Sequence, residues 1–160
     1  MTPDSHAQRK AKVYEAALAL TSQGVSPAAM TIQQLADAAG IGKGTVYEYF
    51  SSKEEILQGM ARYCFAQENE RIAARFDRCR TLVDLENELV DYLQEVAAQR
   101  MSTYRLLAIS FGQQAALPER TDECLSQLTA LTDALVARLQ AAGEIDPGLT
   151  MDACRTSIFC

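Results

Sequence analysis

The segment Thr31–Lys53, which reads TIQQLADAAGIGKGTVYEYFSSK, constrains the fold more strongly than any other part of this 160-residue chain. Apolar residues recur in its first half at the i, i+3, i+4 and i+7 spacing of one helix face; they are Ile32, Leu35, Ala36 and Ala39. Thr31 and Gln34 are spaced as a capping box, which predicts that the helix begins there. Gly40 then ends the helix, because glycine readily adopts the left-handed conformation found after many helix C-termini.

A second, shorter helix is predicted from about Gly42 to Tyr49. Val46, Tyr49 and Phe50 form its inner side, and Ile41 fills the corner between the two helices. A helix, a tight glycine turn and a second helix are the elements of a helix-turn-helix, which places its second helix in the major groove of DNA. The segment therefore predicts a DNA-reading unit.

The outer side of the second helix carries residue types that suit contact with DNA. Lys43 can reach a base edge or a phosphate, and the methyl group of Thr45 suits contact with a thymine. Tyr47 offers its phenol to a phosphate, and Gly44 lets the helix backbone come close to another surface. Lys53 opens the next helix, where its ammonium group and the backbone amides can bind the sugar-phosphate backbone. Exposed lysines are usually only solvated, so the prediction depends on these residues occurring together.

This segment closely resembles the DNA-binding domain of the TetR (tetracycline-repressor-like) family of bacterial transcription regulators over roughly residues 9–60. The matching residues are Thr31, Ile32, Leu35, Ala36, Ala39, Gly40, Gly44, Thr45, Tyr47, Phe50, Lys53 and Leu57. The resemblance implies a mostly helical, homodimeric repressor that a small ligand releases from its operator. The predicted DNA-binding residues are Thr31, Lys43, Gly44, Thr45, Tyr47 and Lys53. One position departs from the family, because Gly42 stands where a serine or threonine cap is common, and glycine is a weaker cap.

The chain is predicted to be all-α, with an N-terminal three-helix helix-turn-helix domain over residues 1–51. A long fourth helix joins it to a C-terminal helical domain over residues 52–160, which the resemblance implies to be the ligand-binding and dimerisation domain. The dimer interface is then expected in the helices near 119–142 and 150–160. The second of these is short and ends on apolar residues, which is expected of a domain truncated at its C-terminus.

Composition favours a soluble globular protein, with 48% apolar and 22% charged residues. No apolar run approaches the ~20 residues needed to cross a membrane. The N-terminus lacks the apolar core of a signal peptide, so the chain is expected in the cytoplasm.

The net charge of −6 is unevenly distributed along the chain. Residues 1–53 carry five basic and four acidic side chains, which leaves 10 basic and 17 acidic side chains in residues 54–160. The N-terminal part is therefore +1 and the remainder −7, so DNA binding is expected to be confined to the N-terminal part. Because +1 is a weak basic patch, two copies acting together are expected.

Five cysteines and one histidine give no metal-binding spacing, and the cysteines are odd in number and widely separated. This argues against a zinc site and against a disulfide framework; a thiol sensor remains an open alternative. The glycines of G-I-G-K-G-T fit neither nucleotide-binding spacing, and no G-x-S-x-G occurs. No enzyme activity and no cofactor are therefore predicted.

An effector pocket for an apolar or aromatic small molecule is predicted in the C-terminal domain. Its candidate lining residues are Phe65, Tyr92, Tyr104, Leu107 and Phe111. Aromatic residues at helical spacing are more often plain core, and the family resemblance is what favours a pocket here. The carboxylates of Glu68, Glu86 and Asp91 would suit a cationic ligand, although exposed helix charges usually only face water.

Two other functions remain compatible with the sequence. One is a helical protein-interaction module that does not bind DNA. The other is a transcriptional activator of the same family, which promoter context alone would distinguish from a repressor.

Overall fold

Seven α-helices account for most of the residues that the computed structural model describes, which are 3–100 and 121–159. The helices are α1 (Pro3–Ser22), α2 (Ile32–Ala39), α3 (Lys43–Tyr49), α4 (Lys53–Phe76), α5 (Leu82–Glu95), α6 (Thr121–Ala141) and α7 (Met151–Phe159). A 3-10 turn (Pro27–Ala29) precedes α2, and a π-helical turn (Val96–Arg100) follows α5. The described ranges contain no strand, and the predicted all-α fold is confirmed.

Both ends of α2 form as the sequence predicts. Thr31 Oγ1 accepts a hydrogen bond from the backbone N–H of Gln34 at 3.2 Å. Gln34 Oε1 in turn accepts one from the backbone N–H of Thr31 at 2.9 Å. Gly40 follows the helix at φ 67° and ψ 32°, in the left-handed region that favours glycine. These local bonds fix where the first helix of the helix-turn-helix starts and stops.

Among the described residues, the chain forms two compact units, one reaching Phe65 and the other made of residues 66–98 and 121–159. The first unit has a continuous apolar core. Its fully buried members are Val13, Ala17, Met30, Leu35, Ala36, Val46, Ile56 and Met60. Each of the larger side chains contributes roughly 1.5–3 kcal/mol by leaving water. The functional boundary at residues 51–52 that separates a DNA reader from a regulatory part remains a prediction.

Gly59 marks a close approach between α4 and α1 within the first unit. A Cβ at this position would overlap the ring of Tyr14, with Cε1 only 2.6 Å away. The Tyr14 ring is held in place by edge contact with Phe50 at a centroid separation of 5.5 Å. Glycine therefore lets the two helices pack more closely than any larger residue would.

We expect Gly59→Ala to lower the free energy of unfolding by about 1 kcal/mol. Overpacking lowers the free energy of unfolding by about 1–3 kcal/mol, whereas replacing a helical glycine with alanine raises it by ~1 kcal/mol. Urea titration followed by circular dichroism measures the difference. In a Tyr14→Ala background the same substitution should become neutral or stabilising; an equal loss in both backgrounds would show that the Tyr14 ring is not the cause.

The second unit is built around a smaller apolar cluster. Its buried members are Phe76, Cys79, Leu85, Leu135 and Leu139. Arg138 of α6 donates hydrogen bonds to the carbonyls of Phe76 and Cys79, and so satisfies acceptors at the C-terminal end of α4. Burial raises the pKa of the Cys79 thiol, so this cysteine is a packed side chain rather than a reactive thiolate.

Several apolar residues are not buried in either of the two clusters, although their spacing places them on the apolar faces of their helices. Phe65 of α4 is 42% exposed, and Leu82 and Leu93 of α5 are 43% and 63% exposed. Helical periodicity identifies an apolar face, but the partner element decides how much of that face is covered. Tyr104, Leu107 and Phe111, predicted to line a pocket, lie outside the described residues. None of the described helices has the length and apolar character needed to span a bilayer.

Candidate nucleic-acid interface

Helix α3 is anchored by its inner side and exposed on its outer side. Val46, Tyr49 and Phe50 are 0%, 6% and 2% exposed, so the helix is held by the core of the first unit. Lys43 is exposed on the opposite side, and Tyr47 is 55% exposed despite its aromatic ring. Single exposed apolar side chains are normal on protein surfaces, so the Tyr47 ring is informative only through its position near Lys43 on the outer side of α3.

Gly44 lies within α3 where the described structure does not require glycine. Its φ is not positive, and a Cβ added there would meet no described atom within 4 Å. A glycine in a helix costs about 0.5–1 kcal/mol relative to alanine. The first unit therefore carries this cost without a packing benefit of its own, which fits a backbone that must approach another molecule closely.

The polar side chains around α3 differ in whether they bond to other residues of the protein. Lys43 and Tyr47 make no side-chain hydrogen bond or ion pair with the described residues. Lys53 Nζ donates to the carbonyl of Ala28 at 2.7 Å, which fixes the side chain and leaves two further donors. Thr45 is half-buried, and the Thr31 hydroxyl is used in the cap of α2. The structure thus presents Lys43 and Tyr47 openly and Lys53 in a fixed position.

The N-terminal part of α1 packs on the end of α3, a contact that the sequence did not predict. Arg9 Nη1 donates to the hydroxyl of Tyr49 at 3.0 Å, and its guanidinium lies 5.9 Å from the centre of the same ring. His6 meets that ring edge-on at 4.6 Å. Because these residues are about 40 positions apart in sequence, no local pattern signals the contact. It makes Arg9 a support for α3 as well as a positive charge beside it.

Glu55 organises the short connection between α3 and α4. Its Oε2 accepts hydrogen bonds at 2.8 Å from both the backbone N–H and the hydroxyl of Ser51. Ser52 Oγ accepts a hydrogen bond from the backbone N–H of Glu55 at 3.1 Å, which caps the start of α4. Lys10 of α1 pairs with Glu55 at 3.4 Å. One carboxylate therefore links α1 to the turn that follows the second helix of the helix-turn-helix.

The hydrogen bonds from Ser51 hold the pKa of the Glu55 carboxyl below its ordinary value, the backbone N–H contributing most. A carboxyl whose pKa is lower in the folded state contributes stability above its unfolded pKa of about 4.3, and this is lost as pH falls through the folded value. We therefore expect Glu55→Gln to lower the Tm at pH 7 and to have little effect well below pH 4. Thermal melts of both proteins from pH 7 to pH 3 measure this, and a constant gap across the range would contradict it.

Comparison with known proteins identifies the N-terminal unit. Residues 13–60 match the family model for bacterial regulatory proteins of the tetR family. This match covers less than half of the chain, so the similarity to the family is established for the N-terminal unit. The matched residues run from the middle of α1 to the first third of α4, so they contain the complete helix-turn-helix, whereas Arg9 and Lys10 precede them. No curated protein matches the sequence.

Three solved structures share the fold of this chain. One is a regulator from Mesorhizobium loti MAFF303099 assigned to the TetR family, with 19% identity and a TM-score of 0.78 over 97% of this chain and 78% of that one. Another, from Marinobacter aquaeolei VT8, has 21% identity and a TM-score of 0.67 over 99% and 81%. The third is the transcriptional regulator FadR from Bacillus subtilis in complex with stearoyl-CoA, with 23% identity and a TM-score of 0.65 over 92% and 80%.

The second unit contains a cavity of about 350 Å³ beside Tyr92. Its walls include Ile72, Phe76, Leu89 and Ile158, with Arg75 among them. The Arg75 guanidinium lies 5.7 Å from the centre of the Tyr92 ring and pairs with Glu88 at 3.0 Å. A mostly apolar cavity with a few polar groups is the usual form of a small-molecule site. Of the residues predicted to line a pocket, Tyr92 lies here, whereas Phe65 belongs to the first unit.

Proposed function

We propose that this chain is a ligand-responsive transcriptional repressor that binds a palindromic operator as a homodimer. The similarity of the N-terminal unit to the tetR family supports DNA-binding regulation of transcription, and the outer side of α3 is the observation that carries the proposal. A Cβ at Gly44 would meet no described atom within 4 Å and Tyr47 is 55% exposed, and both residues lie on one short, anchored helix. The DNA contacts are assigned to Thr31, Lys43, Gly44, Thr45, Tyr47 and Lys53.

The charge of the chain supports two copies on one operator. Residues 1–53 carry a net charge of +1, so one copy neutralises few phosphates. The proposed interface lies in the helices near 119–142 and 150–160, which correspond to α6 and α7. A two-fold dimer reads successive major grooves when its second helices lie about 34 Å apart. The operator is then a palindrome whose half-sites repeat this spacing.

The effector is proposed to be an apolar or aromatic small molecule that occupies the cavity beside Tyr92. FadR from Bacillus subtilis was solved with stearoyl-CoA, which supports an effector site in a protein of this fold. An effector that binds better to a dimer with another spacing of its α3 helices shifts the population away from DNA. The size of the response is limited by the difference in effector affinity between the two states.

Selection of bound sequences from a random duplex pool tests the proposal directly. We expect a palindromic consensus, and binding that weakens as salt rises, because phosphate contacts release counterions. Fluorescence anisotropy with random duplex at two salt levels separates a DNA-binding protein from a protein-interaction module. The first binds weakly and loses affinity as salt rises, whereas the second does not bind. No enrichment and no binding to random duplex at low salt would overturn the proposal.

A further inference from the structure

An apolar groove of about 600 Å³ runs between α5 and the segment that ends in α7. Leu85, Leu89 and Ile158 are among its apolar walls, and Val90 and Leu149, which are 45% and 50% exposed, lie along it. All of these residues belong to the second unit. The groove shares Leu89, Leu93 and Ile158 with the cavity beside Tyr92 but has a separate set of polar residues.

The charged residues of the groove have one sign. Three carboxylates line it, from Glu86, Glu144 and Asp146, and no lysine or arginine is among its lining residues. Glu144 accepts a hydrogen bond from the backbone N–H of Leu82 at 3.1 Å, and Asp146 accepts one from the backbone N–H of Gly148 at 2.8 Å. These bonds fix two carboxylates beside the apolar surface. Glu86 is exposed and makes no hydrogen bond or ion pair with the described residues around it.

We propose that this groove binds an amphiphilic organic cation, with its apolar body on the leucine and isoleucine side chains and its positive charge beside Glu86, Glu144 and Asp146. The charge of the groove excludes an amphiphilic anion of the same size, because like charges repel at the edge of an apolar surface. This site lies apart from the proposed DNA-binding residues and adjoins the cavity beside Tyr92, whose polar lining residues are different.

The dimensions favour a small molecule over a second copy of the chain. Sites for drug-sized ligands enclose about 300–1,000 Å³, and the groove lies within this range. A second copy would bring an identical surface, and three carboxylates from each copy would face one another across a two-fold axis. Such an arrangement places like charges together, whereas a cation neutralises them.

Isothermal titration calorimetry with tetraphenylphosphonium and tetraphenylborate tests the proposal, because these ions have the same shape and opposite charge. We expect tetraphenylphosphonium to bind and tetraphenylborate to bind at least ten times more weakly. Glu86→Lys should weaken binding of the cation roughly tenfold by placing a positive charge at the groove. Glu70→Lys is the matched control, since Glu70 is exposed on α4 in the same unit and does not line the groove.

Equal binding of the two ions would overturn the proposal, and so would equal weakening by Glu86→Lys and Glu70→Lys, because net charge alone would then explain the result. Absence of binding to the wild-type protein would also overturn it. The alternative in that case is that the groove is a surface between two copies of the chain. Conversion of a dimer to a monomer by Val90→Asp, measured by light scattering, would establish it. Circular dichroism establishes that each variant remains folded, since the three substituted positions are exposed.

Discussion

Gly44→Ala is expected to stabilise the folded protein and to weaken its binding to operator DNA at least tenfold. Alanine at this helical position removes the conformational cost of glycine, about 0.5–1 kcal/mol, and its methyl group meets no described atom. In the proposed complex the same methyl group would separate the α3 backbone from the DNA surface, and a dimer would lose this contact twice. A tenfold loss of affinity corresponds to about 1.4 kcal/mol.

Urea titration and a gel-shift titration of the same Gly44→Ala preparation measure the two effects. Ala74→Gly is the control for stability, because Ala74 is exposed on α4 in the second unit. It should reduce stability by a similar amount and leave operator affinity unchanged. If Gly44→Ala binds DNA as tightly as the wild type, the backbone at Gly44 does not approach DNA, and the main support for the proposed function is lost.

Tyr47→Ala and Lys53→Ala are each expected to weaken operator binding by roughly tenfold to a hundredfold with little effect on folding. Tyr47 is 55% exposed, so its removal creates no cavity in the core. A contact worth about 1 kcal/mol is lost twice in a dimer, which gives this range. Lys53→Ala should in addition reduce the slope of log affinity against log salt by about 2, one phosphate contact from each copy.

Arg71→Ala provides the matched control for Lys53→Ala. It removes one positive charge from an exposed position of α4 in the second unit, where Arg71 pairs with Glu68 at 3.3 Å. We expect affinity and salt slope to match those of the wild type. Titrations at four salt concentrations separate the outcomes; a salt slope that is the same for Lys53→Ala and Arg71→Ala would show that Lys53 does not contact a phosphate.

The residues that support α3 are harder to predict from the sequence than α3 itself. Arg9 and Lys10 contact Tyr49 and Glu55 within the first unit, and no local sequence pattern predicts these contacts. Gly59 gave no sequence signal, because its role depends on the ring of Tyr14, which is 45 positions away. Such contacts depend on how helices cross, and hydrophobic periodicity does not specify the crossing.

The predicted pocket shows the same limit in the second unit. Tyr92 lies at a cavity, but Phe65 was grouped with it only because both fall on apolar stripes. Of the three carboxylates that the sequence suggested for a cationic ligand, Glu86 lies at the acidic groove, together with Glu144 and Asp146 from a turn about 60 positions later. These charges come together because the turn folds back against α5, and no local sequence pattern predicts that contact.

By itself, the sequence determined the helix-turn-helix: its capping box at Thr31, its left-handed Gly40 and the inward side of α3 all follow from neighbours within four residues, where hydrogen bonding and side-chain direction are set locally. It also carries the similarity to the tetR family, because residues 13–60 match the model of that family. Only the tertiary structure decided which apolar residues of α4 and α5 are covered, which basic residues serve the fold, and where acidic and apolar surfaces meet. These outcomes depend on burial between segments distant in sequence, and burial is settled by the packing of whole helices rather than by the pattern within one.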